Sequence, residues 1–401
     1  MSVLNPFWHG TPVPLEKFIG REEKLRSITS RISTGQSIAI SGSPRSGKTS
    51  ILYYLMAPEK QVELYGDDAD KLIFSYLDTV SWDNQFDKTK FWQAALAPLS
   101  QYIQDNANIS PDLAKAYQTC QENEFGTFVL ERLFAQLKRI NKCLVLIIDG
   151  FDLLLYQPVL RNSTEFFGGL RSIASHGREA LAVIIAINLS VNQLTTKVQD
   201  FARCGSPYFN FMDEIILGPL FPTEINKILN LAQERFTPDD GVLIKKIVGG
   251  HPYLLQVFAS CLWEVDERTD SIQRQKQAVK DFYLKIEGTL VNIWDSWNDS
   301  TQQAFMSVAF AQFAQMEWLK RTFQRQGIEV ESISKQIPRL KSELELLKKY
   351  GVLIEDERVA GGGRIYSEIL LHFYFNKKLK LEYRKKLPPE IWDKLLTSHF
   401  S

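Results

Sequence analysis

The sequence has few cysteines, no long apolar runs and no net charge, and each of these shortages excludes a class of protein. Only four of its 401 residues are cysteine, and none forms a C-x-x-C pair. This argues against a disulfide scaffold and a metal site, and it favours a reducing, cytoplasmic setting. The longest apolar runs, 143–148 and 181–187, have the length of a strand, and the first residues lack the profile of a secretion signal. We therefore expect a cytoplasmic protein without a membrane segment, with buried thiols at Cys120, Cys143, Cys204 and Cys261.

Positive and negative side chains are balanced at 47 each, so the chain as a whole has no field that would attract nucleic acid or a membrane surface. Any such affinity would have to come from a local patch. The content of 44% hydrophobic and 23% charged residues is that of a globular protein, and the length predicts two or three domains.

The spacing of apolar residues predicts an α/β fold with a doubly wound parallel sheet. Strand-like runs alternate with helical patterns, and the run at 142–149 is almost continuously apolar, like a parallel strand buried on both faces. The predicted strands are 37–41, 71–80, 142–149, 181–190 and 214–217. The finer predictions are one helix over 91–103, a polar insertion around 105–111, a helix over 223–234 capped by Thr223, and a long helix within 333–350. Pro338 suits a first helical turn better than a helix interior, so this last helix is expected to start near Ile337 and to leave Lys335 in the preceding loop.

The strongest motif is G-S-P-R-S-G-K-T at residues 42–49, a complete phosphate loop between a strand and a helix. Its glycines let the backbone fold around an anion, and the following helix directs its positive end there. Lys48 is expected to reach the β- and γ-phosphates of ATP, and the Thr49 hydroxyl to bind Mg²⁺. The Arg45 side chain is expected to face solvent or a partner. The predicted nucleotide-binding residues are Gly42, Ser43, Pro44, Arg45, Ser46, Gly47, Lys48, Thr49 and Ser50.

A second motif, D-G-F-D, follows the apolar strand at 142–149. An acidic residue at the end of a strand beside a phosphate loop holds the magnesium shell, and Asp149 is our candidate for that role. Gly150 occupies the place where many ATPases carry a catalytic glutamate. Asp152 is therefore the candidate for orienting or deprotonating the attacking water, and hydrolysis is expected to be slow.

These motifs and three further segments resemble the signal-transduction ATPases with numerous domains (the STAND class, related to NACHT and NB-ARC modules). They also resemble archaeal-type ATPases close to the origin-recognition AAA+ proteins. The further segments are F-I-G-R-E at 18–22, L-G-P-L at 217–220 and G-G-H-P-Y-L at 249–254. The resemblance covers residues 5–260 and extends to about residue 375 through a winged helix.

The resemblance implies an adenine site built from Phe18, Ile19, Gly20 and Pro252, with His251 close by. Ordinary core packing is the alternative for Phe18 and Ile19. It also implies a polar sensor of the γ-phosphate after the strand at 181–187, where we select Asn188. The arginine that STAND proteins often place there is missing from this strand end. His372 is a further candidate, for sensing the β-phosphate.

We predict a P-loop ATPase core at 1–220, a helical lid at 221–292, a winged-helix domain at 293–386 and a tail at 387–401. Basic residues in the third part favour contact with DNA phosphates, whereas Glu343 and Glu345 favour a solvated face. These basic residues are Lys335, Arg339, Lys341, Lys348, Lys349, Arg364, 377–380 and 384–386.

Three functions remain open at this point. The first is a slow ATPase that works as a switch, whose nucleotide state controls homo-oligomer assembly or contact with a protein partner. The alternative is an ATP-dependent DNA-binding protein that acts through the winged helix. The third is a nucleotide-bound scaffold that does not hydrolyse ATP.

Overall fold

Five parallel strands form the sheet that carries both predicted motifs in the computed structural model. They lie in the order β2-β3-β4-β1-β5, and each neighbouring pair is parallel. The predicted α/β class with a parallel sheet is confirmed. The strands are β1 (Ile38–Ser41), β2 (Leu72–Asp78), β3 (Cys143–Asp149), β4 (Leu181–Ile187) and β5 (Asp213–Ile216).

The structure describes residues 4–83, 85–106, 110–161, 164–177, 179–202, 208–325, 335, 337–359 and 362–383. The chain divides into two compact units, which are treated separately below. The sheet unit comprises Pro14–Gly42 and Gly47–Leu217. The helical unit comprises Met1–Val13, Ser43–Ser46 and Gly218–Ser401.

Helices cover both faces of the sheet because alternate residues of each central strand point in opposite directions. Leu144, Leu146 and Ile148 of β3 enter one buried cluster, whereas Val145 and Ile147 enter another. Burying each such side chain stabilises the fold by about 1.5–3 kcal/mol. The helices of this unit are α1 (Glu22–Ser33), α2 (Lys48–Met56), α3 (Pro58–Tyr65), α4 (Lys88–Ala95), α5 (Ala97–Asp105), α6 (Pro111–Glu122), α7 (Thr127–Arg139), α8 (Pro158–Arg161), α9 (Thr164–His176) and α10 (Val191–Ala202).

One detail predicted for the segment between β2 and β3 is wrong, and one helix there, α6, was not predicted. The single helix over 91–103 is two helices, α4 and α5, which meet at Leu96. Pro98 lies in the first turn of α5, and its ring and missing N–H prevent the preceding helix from continuing through it. The polar insertion leads directly into α6, whose first turn is capped by the Ser110 hydroxyl accepting from the Leu113 N–H at 3.3 Å.

The helical unit consists of packed helices followed by a two-stranded antiparallel pair, the order that the sequence predicts. The strands are β6 (Leu353–Glu355) and β7 (Gly363–Ile365), in which Leu353 pairs with Ile365. The helices are α11 (Pro222–Leu229), α12 (Pro238–Val248), α13 (Pro252–Glu264), α14 (Ser271–Asp295), α15 (Asp299–Phe313), α16 (Glu317–Arg325), α17 (Lys341–Lys349) and α18 (Glu368–Tyr383).

A buried ion pair joins two helices of this unit. The Asp240 carboxylate on α12 contacts the Arg274 guanidinium on α14, and both side chains are almost completely buried. The same carboxylate also accepts from the Thr237 N–H at 2.9 Å and from Gln275 Nε2 at 2.9 Å. Its charge is therefore satisfied by hydrogen bonds as well as by the arginine, as buried charges require.

One predicted helix start in the helical unit is also wrong. Thr223 is not the cap of α11, because the helix begins one residue earlier at Pro222. There the Glu224 carboxylate accepts from the Phe221 N–H at 2.7 Å. The long helical stretch within 333–350 begins at Ile337, where the sequence analysis expects it. A 3₁₀ turn at Ile337–Leu340 precedes α17, and 331–334 and 336 lie outside the described residues. Pro338 explains the irregular start, since proline fits a first turn better than a helix interior.

The cysteines and the hydropathy of the helices can be compared with the expectations from the sequence. Cys120, Cys143 and Cys261 are free and buried, as predicted, and Cys204 lies outside the described residues. In the part of the chain that the structure describes, every helix is too short or too polar to cross a bilayer.

Candidate functional site

Lys48 is the first residue of α2, directly after Gly47, whose φ of 94° allows the chain to turn into the helix. Its Nζ donates to the Gly42 carbonyl at 2.9 Å and to Asn188 Oδ1 at 2.9 Å. Burial of this amine lowers its pKa from 10.5 to about 8, although the carboxylates of Asp152 and Asp149 act in the opposite direction. Protein dipoles and carboxylates therefore take the place of water around this amine.

The predicted magnesium residues Thr49 and Asp149 lie in direct contact. The Thr49 hydroxyl on α2 donates to Asp149 Oδ2 at the end of β3, with 2.7 Å between the oxygens. Both are hard oxygen donors, which Mg²⁺ prefers, and two protein ligands leave room for phosphate and water. Among the described residues, no three histidine, cysteine, aspartate or glutamate side chains form a group able to hold a metal. The pair therefore fits an ion that is shared with a phosphate better than one enclosed by protein.

Tyr76 on β2 is a member of this cluster that the sequence analysis missed. Its hydroxyl donates to Asp149 Oδ2 at 3.1 Å, and burial together with the Asp149 charge raises the tyrosine pKa well above its usual value. The β2–β3 register pairs Tyr76 with Ile147, so Tyr76 and Asp149 share one face of the sheet. The signal was present as a tyrosine inside the strand predicted over 71–80. Only the strand pairing identifies its partner.

Gly150 is required by the local geometry, which explains why no glutamate follows Asp149. Its φ is 73°, and a Cβ placed there would lie 2.8 Å from Thr79 Oγ1. The Thr79 hydroxyl donates to the carbonyls of Asp149 and Gly150 at 2.9 and 2.7 Å. Any larger residue at position 150 would meet this hydroxyl and a backbone conformation that side chains disfavour.

Asp152 and Asn188 are brought together because β4 lies between β1 and β3 in the sheet. Asp152 Oδ2 accepts from the backbone N–H and from Nδ2 of Asn188, both at 3.3 Å. Burial raises the pKa of Asp152, while the Asn188 backbone hydrogen bond and the charge of Lys48 oppose that rise. The other oxygen, Oδ1, is buried and has no hydrogen-bond partner among the described residues. The predicted base and the predicted sensor therefore form one group with Lys48.

The middle of the phosphate loop belongs to the helical unit. Here the Ser46 N–H donates to the Ser43 carbonyl at 3.1 Å, and Arg45 has a φ of 63°. The Arg45 guanidinium lies 5.2 Å from the centre of the Tyr253 ring. Arg45 is an exposed residue, as the sequence analysis expected, and its guanidinium also makes this cation–π contact with Tyr253.

His251 also contacts this part of the loop. Its Nε2 lies 3.2 Å from the Pro44 carbonyl, and its Nδ1 accepts from the Leu254 N–H at 3.5 Å. The neutral imidazole with the proton on Nε2 satisfies both bonds. Pro252, the next residue, is the first residue of α13, where its missing N–H costs no hydrogen bond.

The predicted adenine residues of the sheet unit lie in an irregular segment before α1. The Phe18 ring stacks on Tyr54 with 4.5 Å between ring centres, and Gly20 has a φ of 85°. Pro252 belongs to the other unit. An adenine held by Phe18, Ile19, Gly20 and Pro252 therefore stays a prediction.

A family model described as an AAA-like domain matches residues 11–302, which is well over half of the chain. The chain belongs to the AAA-like domain family. Both motifs of this AAA-like domain, at 42–49 and 149–152, lie inside the matched range. Among curated proteins, none matches the chain.

Solved structures similar to this AAA-like chain include Walker-type ATPases. One of Pyrococcus abyssi is 15% identical, with a TM-score of 0.54 over 90% of this chain and 96% of its own. At that identity the likeness supports the P-loop ATPase fold alone. The ORC2 protein of Aeropyrum pernix, solved as ADPNP–ADP complexes, is 13% identical, with a TM-score of 0.49 over 89% of this chain and 93% of its own. A STAND protein with a tetratricopeptide repeat sensor from Pyrococcus horikoshii is 14% identical, with a TM-score of 0.36 over 100% of this chain and 50% of its own.

The remaining predicted residues of the AAA-like chain lie in the helical unit. His372 is buried, with its ring centre 5.7 Å from that of Phe313, and a role in sensing phosphate stays a prediction. Lys348 is paired with Glu345 at 3.3 Å and Glu355 at 3.4 Å, which reduces its availability to DNA. The side chains at 377–380 and the whole of 384–386 lie outside the described residues.

Proposed function

We propose that the chain is a slow ATPase that binds ATP with Mg²⁺ and works as a nucleotide-controlled switch. The observation that carries this proposal is the contact between the Thr49 hydroxyl and the Asp149 carboxylate at the N-terminus of α2, beside the buried amine of Lys48. Mg²⁺ bound at these oxygens would neutralise charge on the β- and γ-phosphates. Main-chain N–H groups between Gly42 and Ser50, to which Pro44 contributes none, would hold the phosphates.

For hydrolysis we assign roles to Lys48, Asn188 and Asp152. When ATP binds, the Lys48 amine exchanges its bonds to Gly42 and Asn188 for phosphate oxygens. The Asn188 side chain, still held by Asp152, is then free to position a water on the γ-phosphorus. That water attacks phosphorus, the bond to the ADP oxygen breaks, and the unpartnered Oδ1 of Asp152 takes the proton. The rate is expected to be low because no glutamate stands at position 150.

The switch part of the proposal is supported by contacts within the helical unit. The Pro44 carbonyl and the Arg45 side chain of the loop touch His251 and Tyr253, which flank the start of α13. A phosphate that reorganises the loop would therefore disturb these contacts and bias the helical segment, which we interpret as the lid. We propose that α15–α18 with the β6–β7 pair are a winged-helix domain, and that the lid controls its contact with a protein partner or a second copy of the chain. Under this proposal the protein acts in the cytoplasm.

Calorimetry with ATP and Mg²⁺ tests nucleotide binding directly. Lys48→Ala is expected to abolish measurable binding, because the β- and γ-phosphates lose their buried cation. Lys115→Ala, which removes an exposed lysine on α6, is the matched control and should bind like the wild type. Undiminished binding by Lys48→Ala would remove the assignment of this site.

Mass measurement with ADP and with a non-hydrolysable ATP analogue tests the switch. A nucleotide-dependent change in mass supports controlled assembly, and an unchanged mass together with unchanged partner capture contradicts it. Salt-sensitive retention of duplex DNA would favour the DNA-binding alternative. Single-turnover experiments without phosphate release would favour the scaffold.

A further inference from the structure

The helical unit contains a cavity of about 490 Å³ that none of the roles above uses. Its walls come from α12, α15, β7 and α18. Its lining includes the cations Lys245, Lys246 and Arg364 and the apolar side chains of Phe313 and Leu371. This volume is in the range of pockets that hold small organic ligands, and a lining of apolar side chains with a few polar groups is typical of them.

The charged groups at this cavity do not cancel. Three cations and one carboxylate line it, and the carboxylate, Glu368, is paired with Lys246 at 3.5 Å. Lys245 Nζ donates to the neutral amide oxygen of Asn226 at 2.7 Å, and it forms no ion pair with a carboxylate of the described residues. Lys245 and Arg364 together therefore supply about two positive charges, which match a phosphate monoester at neutral pH.

Arg364 is held at the cavity by its own backbone. It lies at the centre of β7, and the next residue, Ile365, exchanges hydrogen bonds with the Gln312 side chain at 2.9 and 3.4 Å. Its Nε is buried and finds no acceptor among the described residues. The neighbouring carboxylate of Asp356 already accepts two bonds from Arg358, both at 2.8 Å. A buried charged donor without an acceptor is costly, and a bound anion would relieve that cost.

We propose that this cavity binds a small organic phosphate monoester. The phosphate lies against Arg364 and Lys245, because the planar guanidinium matches two phosphate oxygens and the ammonium supplies a second charge. The organic part lies against Phe313 and Leu371. The site is separate from the phosphate loop and does not depend on its function.

Phenyl phosphate is a suitable probe because it combines a dianionic phosphate with an apolar ring. The full chain carrying Lys48→Ala is titrated with it in a calorimeter, so that the phosphate loop does not compete. In this background Arg364→Gln is expected to weaken binding tenfold or more. Lys245→Gln, a change outside the core, is expected to weaken it severalfold and guards against misfolding of the first variant. Arg268→Gln, which removes an exposed arginine outside the cavity, should leave binding unchanged.

Several outcomes would overturn the proposal. These are absence of saturable binding at millimolar phenyl phosphate, unchanged binding in both Arg364→Gln and Lys245→Gln, or equal weakening by Arg268→Gln. Benzoate offers the same ring with a single charge. Benzoate binding as tight as that of phenyl phosphate would reject the assignment to a phosphate. Inorganic phosphate binding as tightly would reject the role of the apolar side chains.

Discussion

Lys48 should make the stability of the nucleotide-free protein depend on pH in a way that a neutral side chain cannot. Its amine is enclosed by protein, and burial lowers its pKa from 10.5 to about 8. In the unfolded chain the amine returns to water and to its ordinary pKa. Replacing Lys48 by methionine keeps an unbranched side chain of similar length and removes the titrating group.

The sign and size of the effect follow from proton binding. Between pH 8 and 10.5 the unfolded amine holds a proton that the folded amine has lost, so unfolding takes up a proton. Raising the pH through this window therefore favours the folded state, and below about pH 8 the contribution is constant. A pKa difference of this size corresponds to about 3 kcal/mol over the whole window.

The quantity to measure is the free energy of unfolding by urea for wild type and Lys48→Met, without nucleotide, from pH 7.5 to 10. We expect the wild type to gain relative to the variant by about 1.4 kcal/mol per pH unit once the pH exceeds 8. Lys115→Met, at an exposed position, should follow the wild type. If wild type and Lys48→Met change in parallel across this range, the amine is not buried as described and the reasoning fails.

Three further substitutions test other contacts. Tyr76→Phe removes one hydrogen bond to Asp149 and should raise the Mg²⁺ concentration needed for ATP binding about tenfold. Binding measured without Mg²⁺ should stay unchanged, and a loss there instead would indicate a general structural defect. Asp152→Asn keeps the shape of the side chain and should lower the single-turnover rate about 10²-fold with little change in ATP affinity. An unchanged rate would rule out Asp152 as the base. Arg274→Met leaves the buried carboxylate of Asp240 without its cation and should reduce the free energy of unfolding by about 3–5 kcal/mol. A loss below 1 kcal/mol would mean that water reaches the pair.

Local patterns in the sequence predicted most strands and the phosphate loop because their causes are local. Helix α1 (Glu22–Ser33) is an example, since the apolar spacing of Leu25, Ile28 and Ile32 determines its buried face. The break between α4 and α5 was missed, although Pro98 was visible. The spacing of apolar residues is the same on both sides of Pro98. This spacing predicts one continuous helix, and the sequence analysis gave it more weight than the proline.

The sequence by itself determined the phosphate-loop motif at 42–49, the buried strand that ends at Asp149, and the absence of a glutamate at position 150. Glycine positions and apolar runs are properties of neighbouring residues, so a linear pattern is enough to find them. Tertiary structure alone decided that Tyr76 donates to Asp149, that Asn188 links Lys48 to Asp152, and that Arg364 faces a cavity. These contacts depend on how the elements pack in three dimensions, which brings together residues 36 or more positions apart, and no spacing along the chain encodes that distance.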